Sequence, residues 1–196
     1  MPARYELLER WVNENGWTIG VELGVFDGRT FLHLLQNCRD LTLYGVDVWG
    51  RFTPQGATTS GERCFCPYCS ETRASRKSRS IDQMERAVKG AAIAIDPDRG
   101  KLLTLATSDA VRMFANGTLD FVFVDADHST EGVARDIREW APKLKPWGWL
   151  IGHDYNMKSV RDAVAMTILG EVETYDDHVW VMRPQPAGAS VGMGGG

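Results

Sequence analysis

Short apolar runs alternate with amphipathic segments along most of this chain. The apolar runs have the length of buried strands and occupy residues 17–23, 41–49, 101–106, 119–126 and 148–155. The segments with apolar residues at helical spacing lie at 1–12, 30–38, about 81–95, 108–115, from about 130 onward, and 157–169. Because strands and helices alternate, the pattern predicts a doubly wound α/β fold. The run "LDFVFVDA" is apolar on both faces, which is typical of a mostly parallel sheet.

The last part of the patterned region predicts two more strands. In "EVETYDDHVWVMR" they flank a turn at Asp176 and Asp177, which brings the expected sheet to seven strands. Residues 50–80 interrupt the alternation with Gly, Pro, Ser, Thr and Arg, so we expect an insertion after the second strand. We therefore predict one domain over residues 1–183 and a flexible Gly-rich tail at 184–196.

Composition narrows the classes of function. The 196 residues suffice for one sizeable core, and the net charge of −4 gives no attraction to nucleic acid or to an anionic membrane. No apolar run approaches the roughly 18 residues of a membrane span. The amphipathic first segment carries charges throughout, which does not fit a signal peptide. The four cysteines do not form a disulfide framework, so we expect a reducing, cytoplasmic location.

The end of the first strand has the composition of a ligand-binding turn. "VELGVFDGRT" places Glu22 and Gly24 at the strand end and Gly28 before the next helix, where glycine lets backbone N–H groups approach a ligand. The spacing differs from the dinucleotide fingerprint G-x-G-x-x-G. Asp47 ends the second strand, where an acid can hold a ribose diol. Tight packing of a strand-to-helix turn is the alternative interpretation.

Polar groups also end the predicted strands at 119–126 and 148–155. Asp125 lies at the end of the first strand, and His153 and Asp154 lie at the end of the second. Because parallel strands end at the same edge of a sheet, these three side chains can converge on a metal ion. Asp127 and His128 come next to them in sequence, and either could instead cap the following helix.

Together, "VELGVFDGRT", "YGVDVW", "VDADHSTEG" and "GHDY" resemble class I S-adenosylmethionine-dependent methyltransferases. Over about residues 17–182, the chain is similar to the branch that contains metal-dependent sugar O-methyltransferases of natural-product biosynthesis. The resemblance implies a Rossmann-like methyltransferase fold and a hydroxylated small molecule as substrate. It implies S-adenosylmethionine bound by Glu22, Gly24, Gly28 and Asp47, with Ser108 and Asp109 near the adenine.

The resemblance also implies divalent-metal ligands at Asp125, His153 and Asp154. Relatives usually carry an acid at the first position of the pair before Tyr155, and the nitrogen of His153 shifts preference from Mg²⁺ toward Mn²⁺, Fe²⁺, Ni²⁺ or Zn²⁺. Methyl transfer to a hydroxyl needs a base, and the two candidates are His128 and Asp127. We favour His128, because imidazole titrates near neutrality while a carboxylate beside a metal is too acidic.

The insertion contains residues that could bind a metal or a substrate independently of the strand-end clusters. Cys64, Cys66 and Cys69, with Cys38 upstream, have a spacing that can bind structural zinc, and reduced thiols are the alternative. The basic segment 71–79 is either a solvated loop or a lid over an anionic substrate.

Two other functions remain open at this stage. His128, His153 and a carboxylate could form the facial triad of a non-haem iron oxygenase. The cysteines and the basic segment of the insertion could instead bind nucleic acid, although the acidic net charge argues against this.

Overall fold

A single seven-stranded sheet forms the centre of the molecule over residues 2–49 and 81–184, which the computed structural model describes. In chain order the strands are β1 (Ile19–Leu23), β2 (Thr42–Val46), β3 (Gly100–Leu103), β4 (Leu119–Val124), β5 (Leu144–Gly152), β6 (Glu173–Thr174) and β7 (Trp180–Met182). Their order across the sheet is β3-β2-β1-β4-β5-β7-β6. Strands β1 to β5 run parallel, and β7 is antiparallel to both β5 and β6. The predicted α/β fold with a mostly parallel seven-stranded sheet is confirmed.

Helices cover both faces of this sheet. They are α1 (Arg4–Asn15), α2 (Arg29–Asn37), α3 (Ile81–Ile95), α4 (Thr107–Ala110), α5 (Thr130–Trp140) and α6 (Lys158–Thr167). Alternate residues of β4 point to opposite faces. Phe121 and Phe123 pack in the cluster that includes α1, α2 and α3, whereas Val122 and Val124 pack with α5 and α6. All six residues of β4 are buried, as its continuous apolar sequence predicts.

The element boundaries differ from the sequence prediction where tertiary contacts decide them. The expected helix at 108–115 is one turn of α-helix followed by a 3₁₀ turn at Val111–Met113. Strand β5 begins at Leu144 rather than at 148, because its pairing with β4 shifts register between Leu119 and Phe121. Gly148 lies beside that shift, and a β-carbon there would stand 2.8 Å from the carbonyl oxygen of Leu119.

Several predicted features lie outside the residues that the structure describes. These are the insertion at about 50–80 with Cys64, Cys66, Cys69 and the basic segment, and the tail beyond residue 184. Within the described part of the chain, no helix has the length and apolar character needed to cross a membrane.

Candidate functional site

The polar residues singled out in the sequence meet at the carboxyl ends of β1, β2, β4 and β5. A cavity of about 930 Å³ opens at this edge of the sheet. Its lining includes residues from both predicted clusters, namely Glu22, Gly24, Asp47, Asp125, His128, His153 and Asp154. A parallel sheet places its ligand-binding crevice at this edge. The structure therefore brings the two clusters into one site.

Two glycines shape the turn that follows β1. Gly24 has φ +87°, and a β-carbon on it would lie 2.1 Å from the carbonyl oxygen of Asp125. Gly28 has φ +77° and precedes the first residue of α2. Any other residue at these positions would be strained, and at Gly24 it would also push β1 away from the end of β4.

Glu22 is buried and faces the cavity from the end of β1. Its side chain is 2% exposed, and Oε2 finds no hydrogen-bond partner among the described residues. Burial, followed by the nearby charge of Asp125, raises the pKa of Glu22 well above its ordinary value. A buried oxygen of this kind is costly unless a ligand satisfies it.

Asp47 is held rigidly at the end of β2. Its Oδ2 accepts a hydrogen bond from the Phe26 backbone N–H (2.7 Å), and its Oδ1 accepts one from the Trp49 N–H (2.7 Å). Burial raises the pKa of Asp47, although these backbone donors act in the opposite direction. Each carboxylate oxygen has two lone pairs, so the fixed group can still accept further hydrogen bonds from a ligand.

A smaller cavity of about 150 Å³ adjoins the first and shares Gly24, Asp47 and Ala126 with it. Asp136 of α5 lines it, is 0% exposed, and accepts a hydrogen bond from the Thr107 hydroxyl at 2.6 Å. The other oxygen of Asp136, and Oδ2 of Asp127, find no partner among the described residues. Burial raises the pKa of Asp136 to about 7, against the opposing effect of the Thr107 hydroxyl.

Ser108 and Asp109 take no part in lining either of these two cavities. Thr107, the residue before them, does so, and Asp109 is exposed on the surface of α4. Neighbouring residues of α4 differ in this way because a helix rotates each successive side chain by about 100°.

Asp125, His153 and Asp154 come together as predicted. The Nδ1 of His153 lies 3.5 Å from Asp125 Oδ1 and 3.3 Å from Asp154 Oδ1, so it bridges the two carboxylates. Burial alone would lower the pKa of His153, but hydrogen bonds to Asp125 and Asp154 raise it to about 9.

His128 joins this cluster from the other side. Its Nε2 lies 2.6 Å from Asp154 Oδ2. Burial opposes ionisation of Asp154, but contacts with His128 and His153 hold its pKa well below the usual range. One ligand atom each from Asp125, His128 and Asp154 lie within 4.8 Å of one another, close enough to hold a metal ion. Two candidate triads thus share the same pair of carboxylates.

Asp127 is directed away from this cluster. Its Oδ1 accepts a hydrogen bond from the Ser129 N–H at 2.9 Å, and the residue lines the smaller cavity. Ser129 caps α5, since its hydroxyl accepts a hydrogen bond from the Gly132 N–H at 3.1 Å. A β-carbon on Gly132 would collide with Asp127 Oδ2 at 2.1 Å, so the glycine makes room for that carboxylate. Of the two candidate bases, only His128 touches the carboxylate pair.

Backbone strain concentrates around the large cavity. Among the described residues, five other than glycine have positive φ: Phe26, Trp49, Asp154, Asp177 and His178. All of these except Trp49 line the large cavity. Such conformations persist where surrounding structure enforces them, and they cluster at functional sites.

The sequence did not reveal Arg4 or Asp177 as site residues. Arg4 Nε lies 3.5 Å from Asp125 Oδ2, and Asp177 Oδ1 lies 3.9 Å from His153 Nε2. Arg4 comes from the first helix and Asp177 from the turn between the last two strands. No local pattern marks them, because only the fold brings these distant segments together.

Cys38 lies in the core at the end of α2. It is 1% exposed, and burial raises the pKa of its thiol to about 11. In the absence of a metal, this favours the protonated thiol. The three cysteines expected to complete a zinc site are outside the described residues.

Comparison with known proteins identifies the family. The sequence profile of a methyltransferase domain matches residues 21–155, a stretch that contains both clusters. The chain belongs to this methyltransferase family. The match favours the transferase hypothesis over the iron oxygenase and the nucleic-acid-binding module. No curated protein matches the sequence significantly.

Solved structures of other methyltransferases have the same fold as this chain. The O-methyltransferase NovP is 20% identical, with a TM-score of 0.65, and the alignment covers 93% of this chain and 80% of NovP. The Podospora anserina methyltransferase PaMTH1, solved with S-adenosylhomocysteine, is 13% identical with a TM-score of 0.65 and coverage of 95% and 80%. An O-methyltransferase from Bacillus cereus, also in complex with S-adenosylhomocysteine, is 13% identical with a TM-score of 0.58 and coverage of 93% and 81%.

Proposed function

We propose that this methyltransferase transfers the methyl group of S-adenosylmethionine to a hydroxyl of a small molecule, with a divalent cation assisting. One observation carries the proposal. The acceptor groups suited to the cofactor and the carboxylate–histidine cluster suited to a cation open into the same cavity. The methyl donor and the activated hydroxyl can therefore meet.

The acceptors that line the two cavities match the donors of the cofactor in order. Glu22 Oε2 receives the ammonium group, and Asp47 receives the ribose hydroxyls beside the Gly24 turn. The smaller cavity has a volume of about 150 Å³, a size known to admit an aromatic ring. Asp127 and Asp136 line it, and each has an oxygen that can accept a hydrogen bond from the adenine amino group. The proposal thus assigns the adenine contact to Asp127 and Asp136 instead of Ser108 and Asp109. Solved structures of the same fold that hold S-adenosylhomocysteine support a cofactor of this kind.

The charge of the large cavity favours a cationic ligand. Its lining contains six carboxylates (Glu22, Asp27, Asp47, Asp125, Asp154 and Asp177), against three Lys or Arg side chains and His153, whose pKa is raised to about 9. S-adenosylmethionine carries a sulfonium and an ammonium group against one carboxylate, and a divalent metal adds two more positive charges. An excess of carboxylates in a partly enclosed site attracts both.

Asp125, His153 and Asp154 are the residues that would hold the cation. The bridging position of His153 Nδ1 between the two Oδ1 atoms supports this set, and two oxygens with one nitrogen suit Mn²⁺ or a similar metal. Such a cation would orient the acceptor hydroxyl and lower its pKa.

His128 acts as the base in this proposal. The acceptor oxygen attacks the methyl carbon, the new C–O bond forms as the C–S bond breaks, and the sulfonium sulfur takes the electron pair to become a neutral thioether. His128 accepts the hydroxyl proton, and Asp154 at 2.6 Å stabilises the resulting imidazolium. Asp127 holds the start of α5 and faces the adenine.

Titration calorimetry with S-adenosylhomocysteine tests the cofactor assignment. We expect saturable binding with one site per chain, and then methyl transfer to a hydroxylated acceptor that requires added Mn²⁺ or Mg²⁺. Absence of binding to the folded protein would refute the proposal. Oxygen consumption that depends on Fe²⁺, without cofactor binding, would instead support the oxygenase.

A further inference from the structure

Arg4 reaches from the first residue of α1 into the carboxylate cluster. Its Nε lies 3.5 Å from Asp125 Oδ2, and its Nη1 lies 3.9 Å from Asp177 Oδ2. The same Asp177 oxygen accepts a hydrogen bond from the Arg4 backbone N–H at 2.9 Å. The side chain is 23% exposed and lines the large cavity.

The body of α1 holds Arg4 in this place. Leu7, Leu8 and Trp11 are almost fully buried in the core cluster, and the Trp11 ring packs edge-on against Tyr175, two residues from Asp177. The Glu6 side chain also accepts a hydrogen bond from the Ala3 N–H at 2.8 Å, which closes the start of the helix. Arg4 is therefore anchored at its backbone, unlike a surface arginine on a free helix end.

The two oxygens of Asp125 have different partners. Oδ2 faces the Arg4 guanidinium, whereas Oδ1 faces His153 Nδ1 at 3.5 Å, on the side shared with Asp154. A cation bound between Asp125 and Asp154 would therefore meet Oδ1. Groups that hold the outer oxygen of a ligating carboxylate fix its orientation. A positive charge at that position also repels the cation.

We propose that Arg4, which contacts Asp125 Oδ2, uses its positive charge to keep cation binding at this centre weak. The inference rests on the proposed function, since it concerns the same cation. Arg4 makes both contacts from outside the cation's own ligand set. A weakly held cation exchanges readily, and three protein ligands would leave coordination positions for the acceptor hydroxyl.

Mn²⁺ titration of the cofactor-free protein tests this inference, by calorimetry or by the electron paramagnetic resonance signal of free Mn²⁺. We expect Arg4→Gln to bind Mn²⁺ about tenfold more tightly, the effect of removing one positive charge several ångströms from a divalent ion at a water-like dielectric constant. Arg4→Lys keeps the charge and should bind within about twofold of the wild type on the same argument. Arg10→Gln removes an equal charge from an exposed position on α1 and should leave the affinity unchanged.

The outcomes separate the two proposals. Unchanged or weaker Mn²⁺ binding in folded Arg4→Gln would overturn the role of Arg4, while leaving the cation site in place. Absence of Mn²⁺ binding in the wild type would overturn the cation site and the role of Arg4 together, and S-adenosylhomocysteine binding would then show that the cofactor assignment survives. Circular dichroism confirms folding, and Arg4→Met, which keeps an unbranched stem, replaces Arg4→Gln if the latter fails to fold.

Discussion

His128 Nε2 lies 2.6 Å from Asp154 Oδ2, while the other oxygen of Asp154 lies 3.3 Å from His153 Nδ1. Each oxygen of the Asp154 carboxylate thus contacts a different histidine. The two histidines therefore occupy different positions: His153 lies on the side of Asp154 that faces Asp125, and His128 lies on the opposite side. The contrast is testable by changing each histidine separately.

His128→Ala should reduce kcat by about 10²–10⁴, the usual contribution of a general base. Binding of S-adenosylhomocysteine and of Mn²⁺ should persist, because neither depends on His128 in the proposed site. Steady-state kinetics and calorimetry measure both. His33→Ala is the control, since His33 pairs with Glu9 between α1 and α2, away from the site. Retained activity in folded His128→Ala would contradict the assignment of His128 as the base.

His153→Ala should weaken Mn²⁺ binding by at least tenfold while leaving S-adenosylhomocysteine affinity within about twofold, in line with the loss of one ligand. The physical reason is the loss of the nitrogen between the two Oδ1 atoms. Calorimetry with each ligand separates the effects. The reverse pattern, with metal binding lost in His128→Ala and kept in His153→Ala, would place the cation in the alternative triad of Asp125, His128 and Asp154.

Asp47→Asn should lower the affinity for S-adenosylhomocysteine about tenfold, because a hydrogen bond to a charged group contributes roughly 1.5–3 kcal/mol and an amide accepts more weakly. The amide oxygen of Asn can still accept the Phe26 N–H, but its –NH2 group cannot accept the Trp49 N–H, so circular dichroism must first show that the variant is folded. Calorimetry gives the affinity, and Asp27→Asn, which changes a partly exposed carboxylate of the same cavity, is the control. Equal losses in both variants would show a general charge effect and not ribose binding.

Asp136 should make the stability of the protein depend on pH. Its pKa is raised by burial to about 7 in the folded state, against about 3.9 in an unfolded chain. Between these values the folded state holds a proton that the unfolded state has released. The free energy of unfolding should therefore fall as pH rises from about 4 to 7, by at most about 1.4 kcal/mol per pH unit from this group, and level off above.

Urea denaturation of Asp136→Asn across this pH range measures the effect. The variant should lose this part of the pH dependence, and the difference between variant and wild type should grow from pH 4 to 7 in favour of the variant. Asp98→Asn, an exposed substitution, should follow the wild type. Parallel curves for the wild type and Asp136→Asn would contradict the prediction.

Local sequence signals predicted the fold correctly. Continuous apolar runs such as β4, and apolar residues at helical spacing such as Val133, Ile137 and Trp140 in α5, report burial directly. The residue at which each strand begins was predicted less accurately. The beginning of β5 depends on the register shift opposite Leu119, which is a property of the pair of strands and leaves no mark in either one.

The residues of the candidate site also differ in whether the local sequence could predict their position. Glu22, Gly24, Asp47, Asp125 and His153 stand next to predicted strand ends, and a parallel sheet necessarily collects its strand ends at one edge. Sequence alone therefore determined the alternating architecture and the collection of acids and histidines at that edge. Only the tertiary structure decided that Arg4, Asp136 and Asp177 belong to the site, that His128 faces Asp154 while Asp127 turns away, and which oxygen of each carboxylate is engaged. Such contacts depend on distances between segments far apart in the chain and on side-chain direction, neither of which a local pattern encodes.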